Sequence, residues 1–237
     1  GELRAQLIET TNTPPVVSCP PSTEVECTSS DGTPVDLVVG VQDADGDQLT
    51  LIWTIDGVDQ PEVTIPSGGD FTSEEVTLNV LLDMGEHIVG VTLSDGIADP
   101  VSCEFNVTVV DTTPPVITHL VTNPSILWPP NHKMVKVMTR VKTEDACGKV
   151  KTKIVNVTSN ESKNGKGDGN TSRDWKILDN NKVALRAERS GRGSGRIYTI
   201  TVKAKDEAGN TSTRTTEVIV PHSMGKGKGH KHHKDYK

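Results

Sequence analysis

Asp43, Asp45 and Asp47 stand at alternate positions in Asp43-Ala44-Asp45-Gly46-Asp47, just ahead of a strand-like run. Carboxylates at that spacing can converge on a hard cation that takes about six to eight oxygens, so calcium is the expected ligand. The loop is not an EF-hand, because its twelfth position is Thr54 where a Glu would be needed. The competing reading is a turn whose Asp side chains accept hydrogen bonds from their own backbone. A second loop, 156–174, gathers Asn160, Glu161, Asn164, Asp168, Asn170 and Asp174 among Gly165, Gly167 and Gly169. Acids clustered inside a basic half of the chain call for a counter-charge. Asn160, Glu161, Asp168, Asn170 and Asp174 are therefore candidate ligands for a second cation, with a flexible surface loop as the alternative. Asp206, in Asp206-Glu207-Ala208-Gly209-Asn210, reads as part of a hairpin turn.

Other reactive side chains suggest structure rather than catalysis. Cys19, Cys27, Cys103 and Cys147 form no C-x-x-C pair, which argues against a zinc ribbon or a thioredoxin-like centre. An even count in a Thr- and Pro-rich chain suggests disulfides and an oxidising compartment. Of the three pairings that four cysteines allow, strand positions favour Cys19 with Cys103, which leaves Cys27 with Cys147. The sequence holds no G-x-S-x-G and no H-E-x-x-H, and Gly191-Arg192-Gly193-Ser194-Gly195 joins two strand-like runs as a hairpin would. No enzymatic activity is expected. His87, His119 and His132 are scattered, whereas His222, His230, His232 and His233 gather with Lys226, Lys228, Lys231, Lys234 and Lys237 near the end of the chain. Trp53 lies mid-strand, where a sandwich buries an aromatic. Trp128 should pack under the Pro129-Pro130 bend, and Trp175 is the best placed of the three for an exposed contact.

Charge divides the 237-residue chain in two. Up to Asp111-Thr112-Thr113 there are 21 Asp and Glu against a single base, Arg4; after that joint there are 24 Lys and Arg against 11 acids. Fields of opposite sign steer and orient partners. An acidic half on one copy complements a basic half on the next, and such head-to-tail contact builds an open chain unless it closes into a ring. Nucleic acid is not an expected partner, because interleaved aromatics are scarce and the acidic half repels phosphate. No apolar run approaches the roughly 20 residues of a membrane-spanning helix, so membrane insertion is not expected. Gly1 opens directly into Glu2-Leu3-Arg4 without a signal peptide, as expected for a processed chain or a fragment of a longer one.

Positioning these residues falls to β-strands. Helical periodicity is nearly absent, and short alternating runs recur between turn signals about every ten residues, the pattern of β-sandwiches. With aromatics at only 3% and hydrophobic residues at 33%, two small cores of Val, Ile, Leu and Thr are feasible and one large core is not. Strands are expected near 23–28, 35–39, 48–55, 74–81, 86–94 and 101–110. In the basic half they are expected near 116–122, 133–143, 150–158, 182–188, 196–205 and 211–220. Across 196–205, Tyr198, Ile200, Val202 and Ala204 should face inward, with Thr199, Thr201, Lys203 and Lys205 in water. The domain reading is 1–12 as an edge or donated strand, 13–111 as an acidic sandwich, 112–222 as a basic sandwich and 223–237 as a mobile tail.

Val25-Glu26-Cys27-Thr28-Ser29, Asp43-Ala44-Asp45-Gly46-Asp47, Leu51-Ile52-Trp53 and Gly85 to Gly96 resemble the polycystic-kidney-disease (PKD) type of immunoglobulin-like module. Asp111-Thr112-Thr113-Pro114-Pro115-Val116-Ile117 is similar to the start of hyalin-repeat (HYR) modules, and Thr13 to Pro20 is similar to the same start one module earlier. Leu127 to Met134, Leu185 to Gly191 and Ala204 to Asn210 complete a likeness to immunoglobulin-like modules of bacterial surface and secreted proteins. The usual early cysteine of a hyalin repeat is missing after Val116. The resemblance implies an all-β chain of two tandem immunoglobulin-like antiparallel sandwiches, extracellular or at the cell surface. It implies spacers, adhesins or assembly units. The expected partners are other copies of the chain, other surface proteins or acidic polysaccharide. The function expected is head-to-tail self-association, acidic half on basic half; the alternative is a calcium-dependent adhesin or polysaccharide-binding appendage.

Overall fold

The structure, a computed structural model, describes residues 11–68, 74–162 and 173–224. The expected extra strand at 1–12 therefore falls almost wholly outside the described residues, as do Asp168, Asn170 and most of the tail. The chain divides into two units, Gly1–Thr112 and Thr113–Lys237. Every described regular element is a β-strand, so the all-β class expected from periodicity is the one observed.

The first unit contains β1 (Val16–Ser18), β2 (Thr23–Glu26), β3 (Thr33–Gln42), β4 (Leu49–Ile55), β5 (Val58–Asp59), β6 (Val63–Ile65), β7 (Glu74–Leu82), β8 (Gly85–Ser94) and β9 (Val101–Val110). One sheet runs β1-β3-β7 and the other β2-β9-β8-β4-β5, with β6 also on β4. Among the described residues, all pairings in this unit are antiparallel except β2 with β9, which is parallel. The strands form because their apolar residues recur with period two: Leu37, Val39 and Val41; Leu49, Leu51 and Trp53; Val89, Val91 and Leu93 are all buried. Trp53 is 0% exposed at the centre, so truncating it to Ala should cost about 3–5 kcal/mol. The β4–β5 hairpin turns on Asp56 and Gly57, with φ of 52° and 79°. An Asp-Gly pair supplies both positive dihedrals, as a two-residue turn matching strand twist requires.

The second unit contains β10 (Val116–Asn123), β11 (Met134–Glu144), β12 (Lys151–Ser159), β13 (Trp175–Ile177), β14 (Lys182–Arg186), β15 (Gly195–Lys205) and β16 (Thr211–Pro221). Its sheets run β10-β11-β14-β13 and β12-β15-β16. Val137, Ile154, Val157, Val183, Leu185, Tyr198, Ile200, Val202, Val218 and Val220 form a common core between them. Edge strands β10 and β12 each carry a register shift, between Ile117 and His119 and between Ile154 and Asn156. Irregularities at edges discourage pairing with foreign strands.

Trp128 departs from expectation. It is 46% exposed, while Leu127 beside it is 2% exposed. Leu127 donates its backbone N–H to Ile219 at 2.8 Å, which pins the smaller side chain in the core and turns the indole outward. Trp175 is half-buried instead of presented to solvent, its ring set edge-on to Tyr198 at 6.2 Å between centroids.

Candidate functional sites

Asp43 follows the last residue of β3 and is 1% exposed. Its Oδ1 accepts hydrogen bonds from the backbone N–H of Asp45 at 2.9 Å and of Asp47 at 3.2 Å. Asp43 thus holds the turn, as the backbone-capping reading anticipates, and that uses only one of its oxygens. Oδ2 is buried and has no hydrogen-bond partner within the protein. One oxygen from each of Asp43, Asp45 and Asp47 lies within 4.8 Å of the others. Burial, then the neighbouring charges of Asp43, Asp45 and Asp95, pushes the Asp47 carboxyl above its ordinary range. Asp95, after the last residue of β8, is drawn down by the side-chain amide of Asn12 at 2.9 Å and by the backbone N–H groups of Ile97 and Ala98. The backbone N–H of Thr13 meets Asp45 Oδ2 at 2.6 Å. Crowded carboxylates with a free buried oxygen suit a hard cation, which would meet Asp43, Asp45 and Asp47 together.

The second loop is organised around an arginine that was not foreseen from the sequence. Arg196, at the start of β15, has a side chain 1% exposed. Its Nη1 lies 2.7 Å from Asp174 Oδ2 and 3.5 Å from Glu188 Oε1, and its Nε lies 3.2 Å from Glu161 Oε2. The Asp174 and Glu188 side chains are 1% and 0% exposed. Burial alone would lower the Arg196 pKa; hydrogen bonding to Tyr198 and Glu161 and the charge of Asp174 raise it instead, so it stays protonated. Burial pushes the Tyr198 phenol up to about 12, and its hydroxyl donates to the Arg186 carbonyl at 2.8 Å. Asn160 faces backbone: its amide donates to Gly195 O at 3.1 Å and its carbonyl accepts from Ile197 N at 2.7 Å. Arg196 therefore already supplies positive charge to Glu161 and Asp174. One signal was available, since strict alternation puts Arg196 on the same inward face as Tyr198, Ile200 and Val202.

A third feature is a cationic sheet face. β12 and β15 pair so that Lys151 lies opposite Lys205 and Lys153 opposite Lys203. Like charges directly opposite one another destabilise a sheet. The four lysines, with Thr152 and Asn180, line a cleft of about 440 Å³. None of them has an ion-pair partner among the described residues.

Cys19 and Cys103 form a disulfide, with Cα atoms 6.1 Å apart. Cys27 and Cys147 are both buried and disulfide-bonded, and no cysteine is free.

No family model matches the chain, and no curated protein matches it in sequence. Solved structures do resemble it. The insect immune protein hemolin aligns with 90% of this chain over 48% of its own, at 11% identity and a TM-score of 0.38. Human protocadherin-24 EC1-2 aligns with 89% of this chain and 96% of its own, at 19% identity and a TM-score of 0.33. The CARDB domain of PF1109 from Pyrococcus furiosus, solved with di-metal ions, aligns with 45% of this chain and 99% of its own, at 16% identity and a TM-score of 0.34. At these values the likenesses carry nothing about ligand or activity.

Proposed function

We propose that this chain is a non-catalytic extracellular structural module that associates head to tail, the acidic unit of one copy docking on the basic unit of the next. The single observation that carries this reading is the charge division, 21 acids against one base before the joint and 11 against 24 after it. The docking surface on the basic unit is the lysine face of β12 and β15, whose opposed like charges are relieved by carboxylates from a partner. Calcium belongs to the Asp43, Asp45 and Asp47 loop, where it moderates acidic repulsion. We place none at Asn160, Glu161 and Asp174, because the Arg196 guanidinium already ion-pairs with both acids and Asn160 is held by backbone. The PKD-like and HYR-like assignments of the two units belong to this proposal and rest on the motifs quoted above. Disulfide-bonded cysteines favour an oxidising, extracellular setting.

Light scattering and negative-stain images of the purified chain test the reading, in low and high salt, with calcium or chelator. Regular oligomers or filaments that dissolve in salt support it, since exposed charge pairs are screened beyond about 10 Å at 0.1 M. A monomer under every condition overturns it. The lysine-lined cleft favours one second reading, a calcium-dependent adhesin that takes acidic polysaccharide there. Binding of an immobilised acidic glycan by the monomer would support that reading.

A further inference from the structure

The first unit ends β3 and β8, one strand from each sheet, on an aspartate: Asp43 and Asp95 follow directly. The second unit repeats the device. Asp145 follows β11, Asp206 follows β15, and these strands again belong to different sheets. One oxygen of Asp145 and one of Asp206 approach within 4.8 Å. The two turns also meet through Gly148, where an added Cβ would stand 3.3 Å from Glu207 Oε2.

Each carboxylate spends one oxygen on its own turn. Asp206 Oδ1 accepts the backbone N–H of Gly209 at 2.6 Å and of Asn210 at 2.7 Å, and Asp145 Oδ1 accepts that of Cys147 at 3.0 Å. The second oxygen marks the difference between the units. In the first, Asp95 Oδ2 receives the Asn12 amide. In the second, Asp206 is 5% exposed and its Oδ2 is buried with no hydrogen-bond partner. No Lys, Arg or His forms an ion pair with Asp145 or Asp206 among the described residues. A buried carboxylate oxygen with neither donor nor counter-ion is unfavourable, and a second carboxylate beside it makes it more so.

We propose that Asp145 and Asp206 hold a hard divalent cation of the calcium class in the second unit, separate from the Asp43 loop. Oxygen-only ligands and the short separation suit such an ion, which completes its shell with water or backbone carbonyls. The site goes beyond the proposed function and does not depend on self-association.

Calorimetric titration of the chelator-stripped full chain with calcium chloride tests the proposal, on wild type and on Asp206→Asn, Asp145→Asn and Asp43→Asn. Asparagine keeps the carbonyl oxygen that holds each turn, and thermal unfolding of each variant checks that it folds. Wild type should take up two ions. Asp206→Asn and Asp145→Asn should each lose one event, or weaken it at least tenfold, and Asp43→Asn should lose the other. Wild-type stoichiometry and affinity in both Asp206→Asn and Asp145→Asn would overturn the proposal. A single event lost only in Asp43→Asn overturns it and leaves the first-unit site standing. A single event lost only in Asp206→Asn and Asp145→Asn does the reverse. No uptake by wild type overturns both.

Discussion

Arg196 and Asp174 form an ion pair at 2.7 Å in which both side chains are 1% exposed. A pair taken so completely from water holds only while both members are present, because the survivor is a buried charge without its counter-ion. Replacing Arg196 with Leu would take the guanidinium from Asp174, while Glu188 keeps His132 at 3.2 Å and Arg186 at 3.9 Å. Breaking such a pair costs about 3–5 kcal/mol. Urea unfolding followed by Trp175, which packs on Tyr198 beside the network, should show that loss in the second unit. Arg196→Lys should not restore it, since one ammonium cannot reproduce the planar fork that meets three carboxylates. An Arg196→Lys protein as stable as wild type would refute this account.

His87 and Asp56 set a pH dependence in the first unit. His87 Nδ1 lies 2.8 Å from Asp56 Oδ2. Burial alone would lower the His87 pKa, but hydrogen bonds to the Asp56 carboxylate and the Asp83 carbonyl raise it overall. The same hydrogen bond, then the backbone N–H of Ile88, lowers Asp56. A raised histidine stabilises the fold fully below its unfolded value of about 6.5 and loses that contribution as pH rises through the folded value. A depressed aspartate contributes above about 3.9 and fails as pH falls through its folded value. The pair is therefore strongest between roughly pH 4 and 6.5. Denaturation of wild type and His87→Gln should differ more at pH 5.5 than at pH 8; an equal difference would remove the pair as the cause.

Lys153→Glu separates fold from docking. Opposite Lys203, the new carboxylate turns a repulsive cross-strand pair into an attractive one and should raise stability by about 0.2–1 kcal/mol. The same change should weaken salt-sensitive self-association, read by sedimentation velocity. A variant that is stabilised and still associates normally would move the docking surface elsewhere.

The disulfides invite a chemical test. Cys19 and Cys103 span 84 residues of the first unit, and replacing both with Ser should cost about 2–5 kcal/mol. Non-reducing peptide maps should contain no free thiol, and the sequence expectation pairs Cys27 with Cys147. A free thiol on either residue would contradict the structure.

Long strands were legible because they carry a period. β9 falls at 101–110 as expected, and the inward face of β15 is the one that alternation selects. β1, β5, β6 and β13 were missed because two or three residues are too few to show a period. Their pairing is set by the neighbours they lie against. The Asp43 loop announced itself by spacing, but only coordinates reveal that one oxygen of Asp43 is occupied by the turn and the other is not. Arg196 carries no signal in composition, because cations in a basic half are expected at the surface; only the alternation of β15 turns it inward. Glu188 is fully buried beside it, and two of its partners, Arg196 and His132, lie 8 and 56 residues away, where no local pattern links them to it.

The parallel pairing of β2 with β9 bears on the order in which the chain can fold. Val25 lies opposite Val109, so the first strand of that sheet has no partner until nearly the whole unit has been made. Contacts this distant in sequence close slowly, because the entropy of the intervening loop is lost before the pairing rewards it. A chain emerging from its N-terminus leaves β2 without its strand partner until Val110 has emerged, so that edge of the sheet is completed late.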